Sequence, residues 1–261
     1  MSDCLPSSRR DVIEARLAAG QQVSATSLAD EFDVSEDAIR RDLRALAAEG
    51  KCRRVYGGAV PLLASARPMA LRVSEGSVRK SQLAQAAAKT IKPGELVFLD
   101  SGSTNLAMVD CLAPELGLTV ATNSLDIAAA LARREDIELI LIGGAFNRHV
   151  GGSVDASAIA AVSLLNIDRC FIGACAVSGA TGINVHDHAD AIFKRAVLQN
   201  SATCSVLATS EKFQERAPYR IATPSQIETL FVESDLPANE AEKLTQAGFN
   251  LVRAAPASTT N

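Results

Sequence analysis

Val34-Ser35-Glu36-Asp37-Ala38-Ile39-Arg40-Arg41-Asp42-Leu43-Arg44 reads as a helix with two opposed faces. At about 100° per residue, Ile39, Leu43 and Leu46 fall on one side with the spacing of a buried stripe. Arg40, Arg41 and Arg44, with Asp37 one turn earlier, fall on the other. Ser35 suits the N-cap, and Glu36 and Asp37 suit the positive end of the helix dipole. Guanidinium groups on an exposed helix face contact phosphates, and one or two reach guanine edges in a major groove.

The flanks extend this to a helix-turn-helix. Upstream, Val12, Ile13 and Leu17 mark a first amphipathic helix that Gly20 closes. Ser24 or Thr26 caps a second helix, in which Leu28 and Phe32 stand four apart, and Asp33-Val34 is a tight turn into the arginine helix. In this order of elements the last helix enters a DNA groove. Downstream, Lys51, Arg53 and Arg54 alternate with Cys52 and Val55 in a strand-like run ending at Gly57-Gly58, as in a β-hairpin wing against the sugar-phosphate backbone. Residues 40–54 carry six basic side chains against two acids, although the whole chain stands at −4, so the positive charge is a local patch. The candidate DNA contacts are Ser35, Asp37, Arg40, Arg41, Arg44, Lys51, Arg53 and Arg54.

Residues 8–60 resemble the N-terminal module of the DeoR family of bacterial transcriptional regulators. The likeness is carried by Leu28-Ala29, Phe32, Val34-Ser35, Ile39-Arg40-Arg41-Asp42-Leu43, Leu46, Gly50, Arg54 and Gly57-Gly58-Ala59. It implies a winged helix-turn-helix that binds double-stranded operator DNA. Tyr56 stands where the family usually has a histidine, and Asp37 is an unusual acid at the start of the recognition helix. Both departures bear on which operator is read.

A length of 261 residues suggests two domains, and a hydrophobic fraction of 48% is ample for both cores. The six cysteines are scattered without a C-x-x-C pair, the pattern of reduced thiols and not of a disulfide framework or a zinc site. Met1-Ser2-Asp3-Cys4-Leu5-Pro6 is no signal peptide, and no apolar run is long enough to span a bilayer, so a soluble cytoplasmic protein is expected. The expected layout is a DNA-binding domain over 1–60, a linker over 61–78, an α/β domain over 79–255 and a tail over 256–261. Pro61, Ser65, Pro68, Ser74, Gly76 and Ser77 break any periodicity in the linker.

Beyond the linker, short apolar strands alternate with helices. Helices are expected at 80–90, from about Asn105, and at 125–134, 155–165, 189–200 and 238–247. Strands are expected at 96–99, 118–121, 137–142, 169–175, 204–208, 228–232 and 249–253. This is the pattern of parallel βαβ units covered on both faces, whose ligands sit at the carboxyl edge of the sheet. Asp100-Ser101-Gly102-Ser103-Thr104-Asn105 is the first strand-to-helix turn. There Gly102 lets the backbone approach a ligand, and Ser103 and Thr104 offer hydroxyls beside the amides of a helix N-terminus, a cradle for a phosphate ester. Thr122-Asn123-Ser124 and Gly143-Gly144 are the second and third such turns. Lys194 or Lys212 would complete the charge around a phosphate, although each taken alone reads as a solvated surface lysine.

The resemblance extends here, to about residue 253. Asp100-x-Gly102-Ser103-Thr104, Thr122-Asn123-Ser124, Gly143-Gly144, Lys194-Arg195 and Ser210-x-Lys212-Phe213 look like the motifs of the family's C-terminal domain. That domain is similar in fold to ribose-5-phosphate isomerase and acts in the family as a phosphosugar sensor. Ala189-Asp190 replaces two common glutamates, and Thr209-Ser210-Glu211 replaces the usual Asp-Ser-Ser, departures that bear on which sugar is preferred. The candidate effector contacts are Asp100, Gly102, Ser103, Thr104, Thr122, Asn123, Ser124, Gly144, Lys194 and Lys212.

His186-Asp187-His188 invites a metal reading, but only His149 is left elsewhere, so a polar loop is expected and no metal site. Neither a G-x-x-x-x-G-K-[ST] loop nor a strand-linked G-x-G-x-x-G is present, and three histidines in loops give no Ser–His–Asp arrangement, so no catalytic residue is named. The expected protein is a sequence-specific repressor of a carbohydrate-catabolism operon, released by a phosphorylated sugar and needing no cofactor besides that effector. Self-association is expected, because paired half-sites raise affinity. The alternatives are a phosphosugar isomerase or transferase with a DNA-binding head, and a transcriptional activator.

Overall fold

The computed structural model describes residues 8–18, 21–61, 69–73 and 75–256. The chain divides into two units, Met1–Arg67 and Pro68–Asn261.

In the first unit, α1 (Arg9–Ala18), α2 (Ala25–Phe32) and α3 (Glu36–Ala48) enclose one small core. Ile13 and Leu17 of α1, Leu28 of α2, and Ile39, Leu43 and Leu46 of α3 are all buried in it. Burial of each such side chain contributes roughly 1.5–3 kcal/mol, which is what holds the arginine helix in place. Of the two candidate caps for α2, Ser24 takes the role, its Oγ accepting from Ser27 N–H at 3.5 Å. Asp33 ends α2 in the left-handed conformation (φ 52°), which a short polar side chain tolerates, and Ser35 Oγ accepts from Ala38 N–H at 3.3 Å to cap α3. Gly20, read as the stop of the first helix, lies outside the described residues.

The wing is larger than the hairpin read from the sequence. β2 (Cys52–Val55) and β3 (Gly58–Pro61) pair antiparallel around Tyr56-Gly57, and β1 (Val23–Ser24) adds to the far side of β3. A two-residue strand carries no period of its own, which is why β1 was not legible. Ion pairs then clamp α1 to its neighbours: Arg9 Nε donates to Asp42 Oδ2 at 2.7 Å, Arg10 pairs with Glu49, and Arg16 with Glu31.

The second unit is built on a seven-stranded, all-parallel sheet. Its strands are β4 (Leu96–Leu99), β5 (Thr119–Thr122), β6 (Glu138–Leu141), β9 (Ile167–Ile172), β12 (Ser201–Ala208), β14 (Thr229–Val232) and β15 (Leu251–Arg253). They lie in the order β15-β14-β12-β9-β4-β5-β6. From β4 the chain steps one way to β5 and β6, then returns to lay β9 on the other side of β4. The order therefore reverses between β4 and β9, and open α/β sheets hold their ligands outside the carboxyl ends of the strands at such a reversal.

Alternate residues of β4 face opposite layers. Val97 and Leu99 pack with Leu83 and Ala87 of α5 (Ser77–Ala88) and Ile127 and Leu131 of α7 (Leu125–Leu131). Phe98 packs with Ala158 and Val162 of α8 (Ala156–Val162) and with Phe193 of α9 (His188–Gln199), whose ring centroid is 6.1 Å away. α10 (Ala238–Gln246) joins that layer through Leu244.

Several elements depart from the reading. The helix expected from Asn105 is a single turn, α6 (Ser103–Leu106), followed by a 3-10 turn at Val109–Cys111. The strand expected over 169–175 stops at Ile172. A separate antiparallel sheet, β10 (Ala176–Ser178), β11 (Gly182–Val185) and β13 (Tyr219–Ala222), was not foreseen, nor was the hairpin of β7 (Phe146–Asn147) and β8 (Gly152–Ser153). These strands are short, and β11 is buried on both faces, so polar–apolar alternation never marks them. Within the span read as linker, Met69–Arg72 form a helix, α4, while 62–68 and 74 fall outside the described residues, as do 257–261 of the tail.

Candidate functional site

The exposed face of α3 carries Arg40, Arg41 and Arg44, but the three are not equivalent. Arg40 is held on its own helix by Glu36, and by Asp37 at 3.5 Å. Arg41 and Arg44 are exposed and make no ion pair among the described residues. Ser35 is spent as the N-cap, whereas the Asp37 side chain is 82% exposed. On the wing, Arg53 and Arg54 are exposed beside a fully exposed Tyr56. Lys51 does not join them: it precedes β2 and turns to α1, where its Nζ lies 2.6 Å from Glu14 Oε2 and 3.3 Å from Glu49 Oε2. Asp42, inside the Arg-Arg-Asp-Leu run, is the acceptor for Arg9, so that aspartate serves the packing of α1.

In the second unit, the loops after β4, β5 and β9 meet at the point where the strand order reverses. Asp100, directly after β4, is fully buried. Its Oδ2 accepts from Gly173 N–H at 2.7 Å and pairs with Lys194 of α9. Lys194 is not the surface lysine that its sequence context suggested; its side chain is 3% exposed, and Asp190 Oδ1, one turn earlier on α9, lies 3.2 Å from its Nζ. Burial alone would lower the Lys194 pKa, but the carboxylates of Asp100 and Asp190 overcome it and hold the ammonium above the usual lysine range. Burial pushes the Asp190 carboxyl up, against the pull of Lys194. Asp100 Oδ1 and Ser101 Oγ are buried without a hydrogen-bond partner among the described residues.

The Thr-Asn-Ser turn spends its groups on the protein. Thr122 Oγ1 donates to Leu99 O at 2.6 Å, and Ser124 Oγ accepts from Ile127 N–H at 3.4 Å as the cap of α7. Asn123 Oδ1 accepts from Ser101 N–H at 3.0 Å, and its Nδ2 donates to Ser153 O at 3.2 Å. The Gly-Ser-Thr turn is the opposite case: Ser103 and Thr104 are buried, and their hydroxyls make no hydrogen bond among the described residues. A one-turn helix has little dipole, so the expected contribution of a helix N-terminus is corrected to that of a few loop amides, and charge must come from side chains. Gly102 has an extended backbone, and a Cβ there would meet nothing closer than 3.9 Å.

Two expected residues lie to either side. Gly144 is exposed after β6, its carbonyl accepting from Ser153 Oγ at 3.4 Å. Lys212 is half-buried, with Nζ donating to Leu207 O at 3.1 Å. Burial pushes its pKa down to about 8, with Cys175 opposing and Arg72 and Lys80 reinforcing the shift. Gly173 was not foreseen, and Asp190 and Asn105 were named without a contact of their own; Asn105 Nδ2 donates to Asp100 O at 2.9 Å and Phe171 O at 2.8 Å. The four-residue spacing of Asp190 and Lys194 was the available signal for one of them. The histidine pair serves elsewhere: Asp187 caps α9, and His188 stacks edge-on to Tyr219 at 5.1 Å.

A second buried charge cluster shows what an internally satisfied set looks like. Arg169 on β9 meets Glu95 at 3.1 Å and Glu228 at 3.2 Å, and none of its atoms is buried without a partner. The Asp100 set is incomplete by the same standard.

Residues 76–234 match the family described as the DeoR C terminal sensor domain, and residues 9–62 match the DeoR-like helix-turn-helix domain. The chain belongs to the DeoR family of transcriptional regulators. It is 28% identical to a putative aga operon transcriptional repressor of Escherichia coli O157:H7, over 94% of this chain and 93% of that one. It is 30% identical to the glycerol-3-phosphate regulon repressor of Haemophilus influenzae, over 88% and 90%. It is 31% identical to the HTH-type transcriptional regulator IolR of Bacillus subtilis, over 73% and 76%. Among solved structures, ribose 5-phosphate isomerase A from Methanocaldococcus jannaschii is similar at a TM-score of 0.38 and 19% identity, over 53% of this chain and 55% of that one. No helix among the described residues of this DeoR-family chain is long and apolar enough to cross a membrane.

Proposed function

We propose that this DeoR-family chain is a repressor whose hold on operator DNA is released by a phosphorylated sugar or polyol bound at the sheet's carboxyl edge. Arg41 and Arg44 of α3 supply the groove contacts, Arg53 and Arg54 the backbone contacts of the wing, and Arg40 joins them by exchanging Glu36 and Asp37 for phosphate. Asp100, Ser103 and Thr104 receive the hydroxyls and backbone of the ligand, Gly102 gives it room, and Lys212 faces its anionic group. Thr122, Asn123, Ser124 and Lys194 shape that site from behind. The single observation that carries this reading is the buried, unpartnered Oδ1 of Asp100 at the reversal of strand order.

The ligand releases DNA only if it binds the released state more tightly than the operator-bound one. No residue is assigned a catalytic role: proton abstraction from a sugar carbon needs a carboxylate base, and Lys194 already engages both Asp100 and Asp190. The protein acts in the cytoplasm, as a homo-oligomer that reads paired half-sites, and without a cofactor. The names of the relatives favour repression and a sugar or polyol regulon. The test is an anisotropy titration of the DNA upstream of its own gene, repeated with glycerol, triose, pentose and hexose phosphates. Operator release by one member supports the reading, and indifference to all of them rejects it.

A further inference from the structure

α4 stands where the chain enters the sensor unit, immediately after the span that follows the wing, and two contacts hold it, one at each end. At its start, Met69 is buried against the β7–β8 turn: a Cβ placed on Gly151 would stand 2.7 Å from the Met69 Cβ. Gly152, the first residue of β8, packs as closely on Asn123, the acceptor for Ser101 N–H. At its end, the Arg72 carbonyl accepts from Lys80 Nζ of α5, a lysine only 7% exposed. The Arg72 side chain is partly buried, and its Nε is buried with no hydrogen-bond partner among the described residues.

The charge of Arg72 acts on Lys212 and on Cys175, and Cys175 in turn senses Lys194 and Asp190. The Arg72 carbonyl holds Lys80 of α5, and Arg79, the neighbour of Lys80, reaches Glu211 beside Lys212 at 3.1 Å, so Arg72 stands on the side where Lys212 and Lys80 gather positive charge. The Asp100–Lys194–Asp190 set carries two carboxylates against one ammonium and repels an anion. Like cations brought together at a partly buried edge are tolerated when an anion joins them.

We infer that Arg72 is a ligand-binding residue, which together with Lys212 holds the anionic group of the effector, so that the effector ties the entry helix of the sensor unit to the sheet. This rests on the phosphosugar reading of the same site and adds a second cation for the anionic group. The residue that grips the ligand lies eleven positions after Pro61, the last residue of the wing.

The experiment is calorimetric titration of the full-length protein with glycerol, triose, pentose and hexose phosphates, with their dephosphorylated counterparts and with inorganic phosphate. It is run on wild type, Arg72→Gln, Arg72→Lys and Asp100→Asn, with the melting temperature of each recorded. Arg72→Gln is expected to weaken binding of the phosphorylated compound roughly 10- to 100-fold, with Arg72→Lys recovering part of it. Affinity for the dephosphorylated counterpart is expected to stay unchanged in Arg72→Gln. Equal weakening for the phosphorylated and dephosphorylated forms makes Arg72 a structural residue and overturns the inference. Wild-type affinity in Arg72→Gln, with binding abolished in Asp100→Asn, removes Arg72 and keeps the site. Absence of binding by any phosphorylated compound to wild type overturns the phosphosugar reading, and this inference with it.

Discussion

Gly173 N–H donates to Asp100 Oδ2 at 2.7 Å, and a Cβ on Gly173 would stand 3.0 Å from that same oxygen and 2.8 Å from Ser101 O. The carboxylate and the glycine are thus matched across the reversal of strand order, and Lys194 completes the contact from α9.

Gly173→Ala forces the loop after β4 away from β9. The expected cost is about 1–3 kcal/mol, and since a unit of this size loses roughly 2–4 °C per kcal/mol, thermal melting shows it directly. Gly143→Ala, with nothing within 4 Å of the added Cβ, is the control and is expected to leave the melting temperature unchanged. Equal behaviour of the two variants contradicts the close approach.

Gly102→Ala separates room for a ligand from room for the fold. Its Cβ meets nothing closer than 3.9 Å, so stability is expected to hold within about 1 kcal/mol. Effector affinity is expected to fall at least roughly tenfold, because the methyl group occupies the approach to the loop amides. Calorimetric titration of a folded variant that binds like wild type would show that the ligand does not come to this backbone.

Lys212 gives the site a pH dependence with a definite sign. Burial lowers its pKa from the lysine value to about 8, so the folded protein binds fewer protons there than the unfolded chain between about pH 8 and 10.5. Its contribution to stability is therefore unfavourable at neutral pH and is relieved as pH rises through that window. An anion beside Lys212 restores the proton, so effector affinity should fall as pH rises above about 8. Binding near pH 8.5 should take up protons, read as a calorimetric enthalpy that changes with the ionisation heat of the buffer. A buffer-independent enthalpy in wild type matching that of Lys212→Met would contradict the assignment.

On the DNA side the arrangement predicts an order among basic residues of similar sequence context. Arg41→Ala and Arg44→Ala should weaken operator binding most, whereas Arg53→Ala and Arg54→Ala, each leaving a phosphate without its arginine, should reduce the slope of log affinity against log salt by about 1. Arg40→Ala should cost less, since Arg40 already rests on Glu36 and Asp37. Lys51→Ala should leave operator affinity within about twofold and cost up to about 1 kcal/mol of stability, its partners Glu14 and Glu49 being part-exposed. A Lys51 variant as impaired on DNA as Arg41→Ala would reverse that order.

What the sequence made legible follows from how local each signal is. The Ile39-Leu43-Leu46 stripe, the Ser35 cap and the apolar run at 96–99 depend on neighbours within a turn or a strand, and each forms as the spacing demands. The stretch from Asp100 to Asn105 was legible as a strand-to-helix turn because a glycine and small hydroxyl residues after an apolar run carry their own meaning. Lys51 looked like Arg53 and Arg54, because its partner Glu14 lies 37 residues earlier. Lys194 looked solvated because Asp100, which buries it, lies 94 residues away. Gly173 and Arg72 carry no local signal at all: the first matters through a close approach across two strands, the second through the helix it ends.

The measurement that tests the account most directly is operator binding followed by fluorescence anisotropy in wild type and Asp100→Asn, each titrated with the sugar phosphate that releases wild type. Both proteins are expected to hold the operator and only wild type to let go, the variant needing roughly tenfold more effector. Release of Asp100→Asn at the wild-type concentration would contradict this expectation, because the effector would then be acting somewhere other than the carboxyl edge of the sheet.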